Sequence, residues 1–150
     1  METLKLIALD NDDVAVISTH LQDAVLRVGD ICWSPAEKRL VVGVNRFDWP
    51  AALDGEPNYK RRRTALRFDR VLNLKCRGID PADGTAVLNL LAVEFVENDP
   101  PAGIVTLVFS GGAALRLEVE CLEAELTDLG PSWPAAARPI HIDETPDLRG

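Results

Sequence analysis

The sequence predicts an α+β fold built mostly of antiparallel β sheet, or a partly open barrel, capped by a C-terminal amphipathic helix. Three observations carry this reading. Short β-rich runs separated by Gly, Pro, Asn and Asp recur from Ala24 to Val119. Alternation of apolar and polar residues is clearest from Leu66 to Arg77. The apolar spacing then switches to three and four residues at Val119, Leu122, Leu126 and Leu129.

The first element is Leu4 to Leu9, a short and mostly apolar strand that stops at Asp10-Asn11-Asp12-Asp13. That cluster favours a turn and offers carboxylates for a helix N-cap. A short helix follows, with Val14, Ile17 and Leu21 on one face. From Ala24 the residues turn β-rich: Ala24 to Val28, Asp30 to Trp33 and Arg39 to Val44 are strands, the last two joined by a hairpin loop at Ser34 to Lys38. Phe47 to Tyr59 holds Pro50, Gly55, Pro57 and Asn58 and is expected to be a long surface loop.

In the next strand Leu66, Phe68, Leu72, Leu74 and Cys76 share one side, and Arg67, Asp69, Asn73, Lys75 and Arg77 the other. Arg70 interrupts the inner row, which predicts a bulge or bend. A turn over Gly78 to Gly84 leads to Val87 to Glu97, so these two segments are expected to pair as a long hairpin. A second hairpin joins Ile104 to Phe109 with Ala114 to Val119 through Ser110-Gly111-Gly112, because glycine tolerates the positive φ of tight turns.

The predicted C-terminal helix runs from Val119 to Leu129, with glutamates filling its other faces and Gly130-Pro131 as its stop. Its stripe would cover the sheet. Residues 1–130 then form a single α+β domain, and residues 131–150, with four prolines and no sustained periodicity, a tail that is extended or partly disordered. Strands closed by a C-terminal amphipathic helix are similar to the pleckstrin-homology-like arrangement.

Composition excludes several classes. At 150 residues, 47% of them hydrophobic and 27% charged, the chain can bury a core without a disulfide or metal staple. Its start shows no basic region leading into an apolar run, which predicts a cytoplasmic location, and no run approaches the roughly 20 apolar residues of a spanning helix. A net charge of −8 argues against a nucleic-acid partner. Cys32, Cys76 and Cys121 are scattered and lack the spacing of a redox or zinc motif, so no metal or other cofactor is expected.

Ser18-Thr19-His20-Leu21-Gln22-Asp23-Ala24 and Asn45-Arg46-Phe47-Asp48-Trp49, within Ala15 to Trp49, resemble a family of small alphaproteobacterial proteins catalogued as domain of unknown function 2948. Arg61-Arg62-Arg63, Phe68-Asp69-Arg70-Val71 and Leu115 to Cys121 look similar too, and the resemblance extends to about Trp133. It implies a bacterial cytosolic protein and supplies no activity.

The densest chemical feature is Lys60-Arg61-Arg62-Arg63, continued by Arg67, Arg70, Lys75 and Arg77, which places 8 of the 16 basic residues between positions 60 and 77. Arg61, Arg62, Arg63 and Arg70 are the candidate contacts for an anion or an acidic partner. Phe47 and Trp49 are candidate interface aromatics. Asp10, Asp12 and Asp13 lack the glycine and glutamate of a calcium loop, Gly111-Gly112 lacks the lysine of a phosphate loop, and His20 and His141 lie far apart without a nucleophile motif, so no catalytic residue is assigned. The function expected is a non-enzymatic interaction module that meets a protein partner or a second copy of itself. The alternative is a small-ligand or phosphometabolite-binding protein that uses the arginine cluster.

Overall fold

Buried and half-buried side chains alternate along the central strands of the computed structural model, which describes residues 4–47, 60–130 and 133–134. Among these residues the chain forms β1 (Lys5–Ala8), α1 (Asn11–Leu21), β2 (Ala24–Arg27), β3 (Ile31–Ser34), β4 (Arg39–Phe47), β5 (Lys60–Phe68), β6 (Val71–Arg77), β7 (Val87–Glu97), β8 (Gly103–Phe109), β9 (Ala114–Val119), β10 (Ala124–Asp128) and β11 (Trp133–Pro134). All strands belong to one sheet of order β1-β10-β5-β4-β2-β7-β8-β9-β6, with β3 paired to β4 and β11 to β5.

Two strands near one end of that order continue directly into the two at the other. Only Asp69 and Arg70 separate β5 from β6, and only Glu120 to Glu123 separate β9 from β10. The two corners face each other: the Asp69 N–H donates to the Glu123 carbonyl at 3.0 Å and the Glu120 N–H to the Arg70 carbonyl at 2.9 Å. Because β10 pairs with β5 and β9 with β6, both pairs are halves of one bent ribbon, and the sheet closes on itself through β4, β2, β7 and β8. Arg70 takes the left-handed conformation, φ 62°, that lets the chain turn there.

The core lies within this circuit. Leu40, Val42 and Val44 of β4, Leu66 and Phe68 of β5, Leu107 of β8 and Leu115 and Leu117 of β9 are almost wholly buried, as the two-residue period of a strand with one inward face requires. Val14, Ile17 and Leu21 of α1 join them. The helix starts where expected, since Asp10 accepts the Asp13 N–H at 2.9 Å and Asp13 accepts the Leu9 N–H at 3.0 Å. Ser18 Oγ accepts the Val93 N–H at 3.0 Å, beside an irregularity in β7 pairing between Leu90 and Ala92, and so ties α1 to β7.

The C-terminal helix is not there. The one α-helix among the described residues lies near the N-terminus, and the segment predicted to be helical continues β9 and forms β10. Its inward row is Ala124, Leu126 and Asp128, with Glu125 and Thr127 between them, and Leu129 is exposed. The spacing of Leu122, Leu126 and Leu129 imitates a helical stripe only because the inward positions of the strand include a small residue and a charged one. The pleckstrin-homology-like arrangement, which needs that closing helix, is therefore set aside. The long hairpin is also corrected: β6 pairs with β9, while β7 pairs with β2 and β8.

The β8–β9 hairpin forms as expected, with Gly111 and Gly112 at φ 74° and 81°. Of the expected tail, Trp133 and Pro134 pair with Arg61 and Lys60, and the rest lies outside the described residues. No helix among the described residues is long and apolar enough to cross a membrane.

Candidate functional site

Period two divides the arginine run between the faces of β5. Arg62 points inward with Thr64, Leu66 and Phe68, while Arg61, Arg63 and Arg67 face the other way. Inside, Asp128 of β10 collects four partners. Its Oδ1 accepts Arg46 Nε at 2.9 Å and Thr64 Oγ1 at 2.8 Å, and its Oδ2 accepts Arg46 Nη2 at 2.8 Å and the Leu4 N–H at 2.7 Å. Arg62 Nε stands 3.9 Å from Oδ2. Burial pushes the Asp128 carboxyl up, but the hydrogen bonds from Arg46, Leu4 and Thr64 and the Arg46 charge outweigh it and hold the group below the usual carboxylate range. This cluster is closed to solvent and fastens β1, β4, β5 and β10 together.

On the other face, Arg63 Nη1 donates to Asn45 Oδ1 at 3.2 Å and Arg63 Nη2 lies 3.3 Å from Asp30. Gly43 makes room for it, since a Cβ there would stand 2.6 Å from Nη2. Arg61 Nη1 donates to the Asn45 carbonyl at 3.3 Å; burial lowers its pKa, and Asp23 acts in the opposite sense. Because β2 and β4 share only the Val25–Asn45 pair, a cleft of about 290 Å3 opens between them, lined by Val25, Leu26, Arg27, Asp30, Asn45 and Arg63. Of the four predicted arginines, Arg63 lines it.

Arg70 sits at the corner, 4.0 Å from Glu120, which Lys38 also contacts. The hydrogen bond from Lys38 holds the Glu120 carboxyl below its ordinary value. Phe47 is fully buried at the end of β4, and Trp49 lies outside the described residues.

At the β6 edge of the sheet one further basic residue, Arg116, joins the run that the sequence singled out. β6 is the last strand of the sheet and pairs only with β9. Lys75 stands directly opposite Arg116, and Arg77 opposite Ala114, on the face away from Leu115 and Leu117. Lys75, Arg77 and Arg116 are exposed, and none forms an ion pair among the described residues, the nearby Glu118 and Glu94 included. Like charges facing across a strand pair are destabilising. Leu72 is 53% exposed, Cys76 is an exposed free thiol, and the Leu74 N–H is taken by the side chain of Asn73 at 2.9 Å. Lys75 and Arg77 were legible as part of a basic run, but only the β6–β9 register brings Arg116 to them.

No group of three His, Cys, Asp or Glu that could hold a metal ion occurs among the described residues. Neither the curated proteins nor the solved structures contain a match to the chain. A family model described as "Protein of unknown function (DUF2948)" matches residues 4–141, and the chain belongs to that family.

Proposed function

We propose that this protein is a non-catalytic interaction module that binds a protein partner through the β6 edge and the adjoining outer face of β9. One observation carries the reading: Lys75, Arg77 and Arg116 crowd one exposed face with no carboxylate partner among the described residues. On β4 and β5, by contrast, half-exposed cations are matched, as in Arg67 with Asp69 and Glu125, or Arg39 with Asp69. A cationic pair left facing itself across two strands is relieved when an acidic surface covers it. The exposed Leu72 beside it adds apolar area of the kind an interface buries.

The test is a photo-crosslinking amino acid in place of Leu72, read in cells that make the protein, with the same group at Thr19 of α1 as the control. The expected result is a discrete adduct from position 72 that disappears when Arg116→Glu is added. Position 72 giving no more adduct than position 19 ends the reading.

A second reading has an observation of its own. Arg27 lines the cleft beside Arg63 and forms no ion pair among the described residues, so a phosphate or carboxylate group could bridge the two in competition with Asp30. Titration with inorganic phosphate tests it: saturable amide shifts at Arg27 and Asn45 that vanish in Arg27→Ala favour a small-anion binder, and their absence rejects it.

A further inference from the structure

We infer that the partner docks as an added β-strand on the free edge of β6, through an extended segment in which acidic and aliphatic residues alternate. The inference rests on the interaction-module reading and names the partner's chemistry. The backbone carries the first part. Along a strand the N–H groups of successive residues point to opposite edges, and the Leu74 N–H is met by the Asn73 side-chain oxygen. Asn73 Oδ1 thus occupies the place where the carbonyl of an added strand would accept.

The side chains give the sequence of the guest. Asn73, Lys75 and Arg77 share one face of β6, joined there by Arg116, while Leu74 and Cys76 share the face of Leu117 and Leu115. A strand added beside β6 alternates with the same period, so its residues fall in turn beside the cations and beside Leu74 and Cys76. Glu or Asp at every second position neutralises Lys75, Arg77 and Arg116, and Val, Ile or Leu between them covers the exposed apolar side. A second copy of β6 fits less well, since it brings no acidic residue to the cations. Antiparallel self-pairing centred on Lys75 sets Lys75 against Lys75, and pairing centred on Cys76 sets Lys75 against Arg77, which is how cations guard an edge against its own kind.

The experiment uses the full chain and three fluorescein-labelled octapeptides: alternating Glu and Val, alternating Lys and Val, and the Glu-Val peptide with a central proline. Anisotropy should show saturable binding of the Glu-Val peptide, weakening with salt, and none of the Lys-Val peptide. The proline peptide should bind at least about tenfold more weakly, because it lacks a ladder donor and the bend of its chain opposes pairing. Arg116→Glu should also weaken binding at least about tenfold while its melting temperature stays level or rises, since it exchanges a like-charged cross-strand pair for an opposite one. Loss of binding in that variant is therefore not loss of fold. In the Cys32→Ser, Cys121→Ser background, bound Glu-Val peptide should slow maleimide labelling of Cys76.

No binding of the Glu-Val peptide at about 1 mM, the weak end of measurable affinity, overturns the inference. Equal binding of the proline peptide overturns it too, because charge attraction alone would then be at work. An adduct from position 72 in cells, together with failure of the Glu-Val peptide, rejects the strand while the module reading stands. Failure of both rejects both.

Discussion

Arg46 and Asp128 are joined by two parallel hydrogen bonds of 2.9 and 2.8 Å at side-chain exposures of 3% and 0%. The geometry is the bidentate fork that suits guanidinium to carboxylate, at a site that water does not screen. Arg62, equally withdrawn, is the second cation facing the same carboxylate. Asp128→Ala removes the anion that both buried guanidiniums face and should lower stability by about 3 to 5 kcal/mol, measured by urea unfolding. A loss below about 1 kcal/mol would show that this cluster does not hold the four strands together.

Acid should act through the same carboxylate. Its folded pKa lies below the unfolded value, so its contribution is complete above about pH 3.9, the ordinary aspartate value, and is lost as pH falls through the lower folded value. Glu120, held down first by the Lys38 hydrogen bond, and Glu125, held down first by Thr127, act in the same sense. Melting temperature followed from pH 7 down should therefore fall on the acid side, and the gap between wild type and Asp128→Asn should narrow there. A constant gap would mean that Asp128 contributes through packing and not through its charge.

Leu126 and Leu129 separate a strand from a helix in one experiment. Leu126 is fully buried and opposite Leu66, while Leu129 is 60% exposed. Leu126→Asp should lose a core leucine, about 2 to 5 kcal/mol in truncations, and bury a charge besides, against a total stability of about 5 to 15 kcal/mol. Leu129→Asp should change stability by no more than about 0.5 kcal/mol. Equal damage from both would restore the helical stripe.

Two glycines should respond differently to a single added methyl group. At Gly103 a Cβ would meet Phe95 Cε1 at 2.5 Å and the Val96 carbonyl at 2.6 Å, so Gly103→Ala presses on backbone and should cost about 1 to 3 kcal/mol. At Gly43 it would meet the tip of Arg63, which can swing away. Gly43→Ala should leave the melting temperature nearly unchanged and break the Arg63–Asp30 contact, visible as a shift of the Arg63 side-chain Nε–H resonance. The reverse order of damage would contradict the packing described for both sites.

What the sequence revealed depended on whether the signal was local. The helix α1 was legible because its cap, Asp10, and its stripe of Val14, Ile17 and Leu21 lie within a dozen residues. The bend at Arg70 was legible because it broke an otherwise regular alternation. β10 was not, since Ala124 and Asp128 hide its inward row and Leu122, Leu126 and Leu129 supply a competing period. For the arginines the limit was register. A run of like residues does not say which member turns inward until the inward partner is known, and Arg62 faces a carboxylate far along the chain. The closeness of Lys75 and Arg116 is obscured for the same reason, because the sequence predicts β7, not β9, as the neighbour of β6.

The Leu4 N–H donates to Asp128, and Lys5 to Ala8 pair with Thr127 to Ala124. The order of synthesis is therefore opposed to the order of closure. A ribosome makes β1 before the other described strands, yet the strand that receives it, and the carboxylate that anchors Arg46, come after almost all the other described elements. Pairings of such long sequence separation are slow to form because the intervening loop must be ordered before any contact rewards it. The circuit can close only after residue 128 has left the ribosome. Until then β1 and the inner arginines wait without their carboxylate, and the chain depends on whatever shields nascent strands from one another.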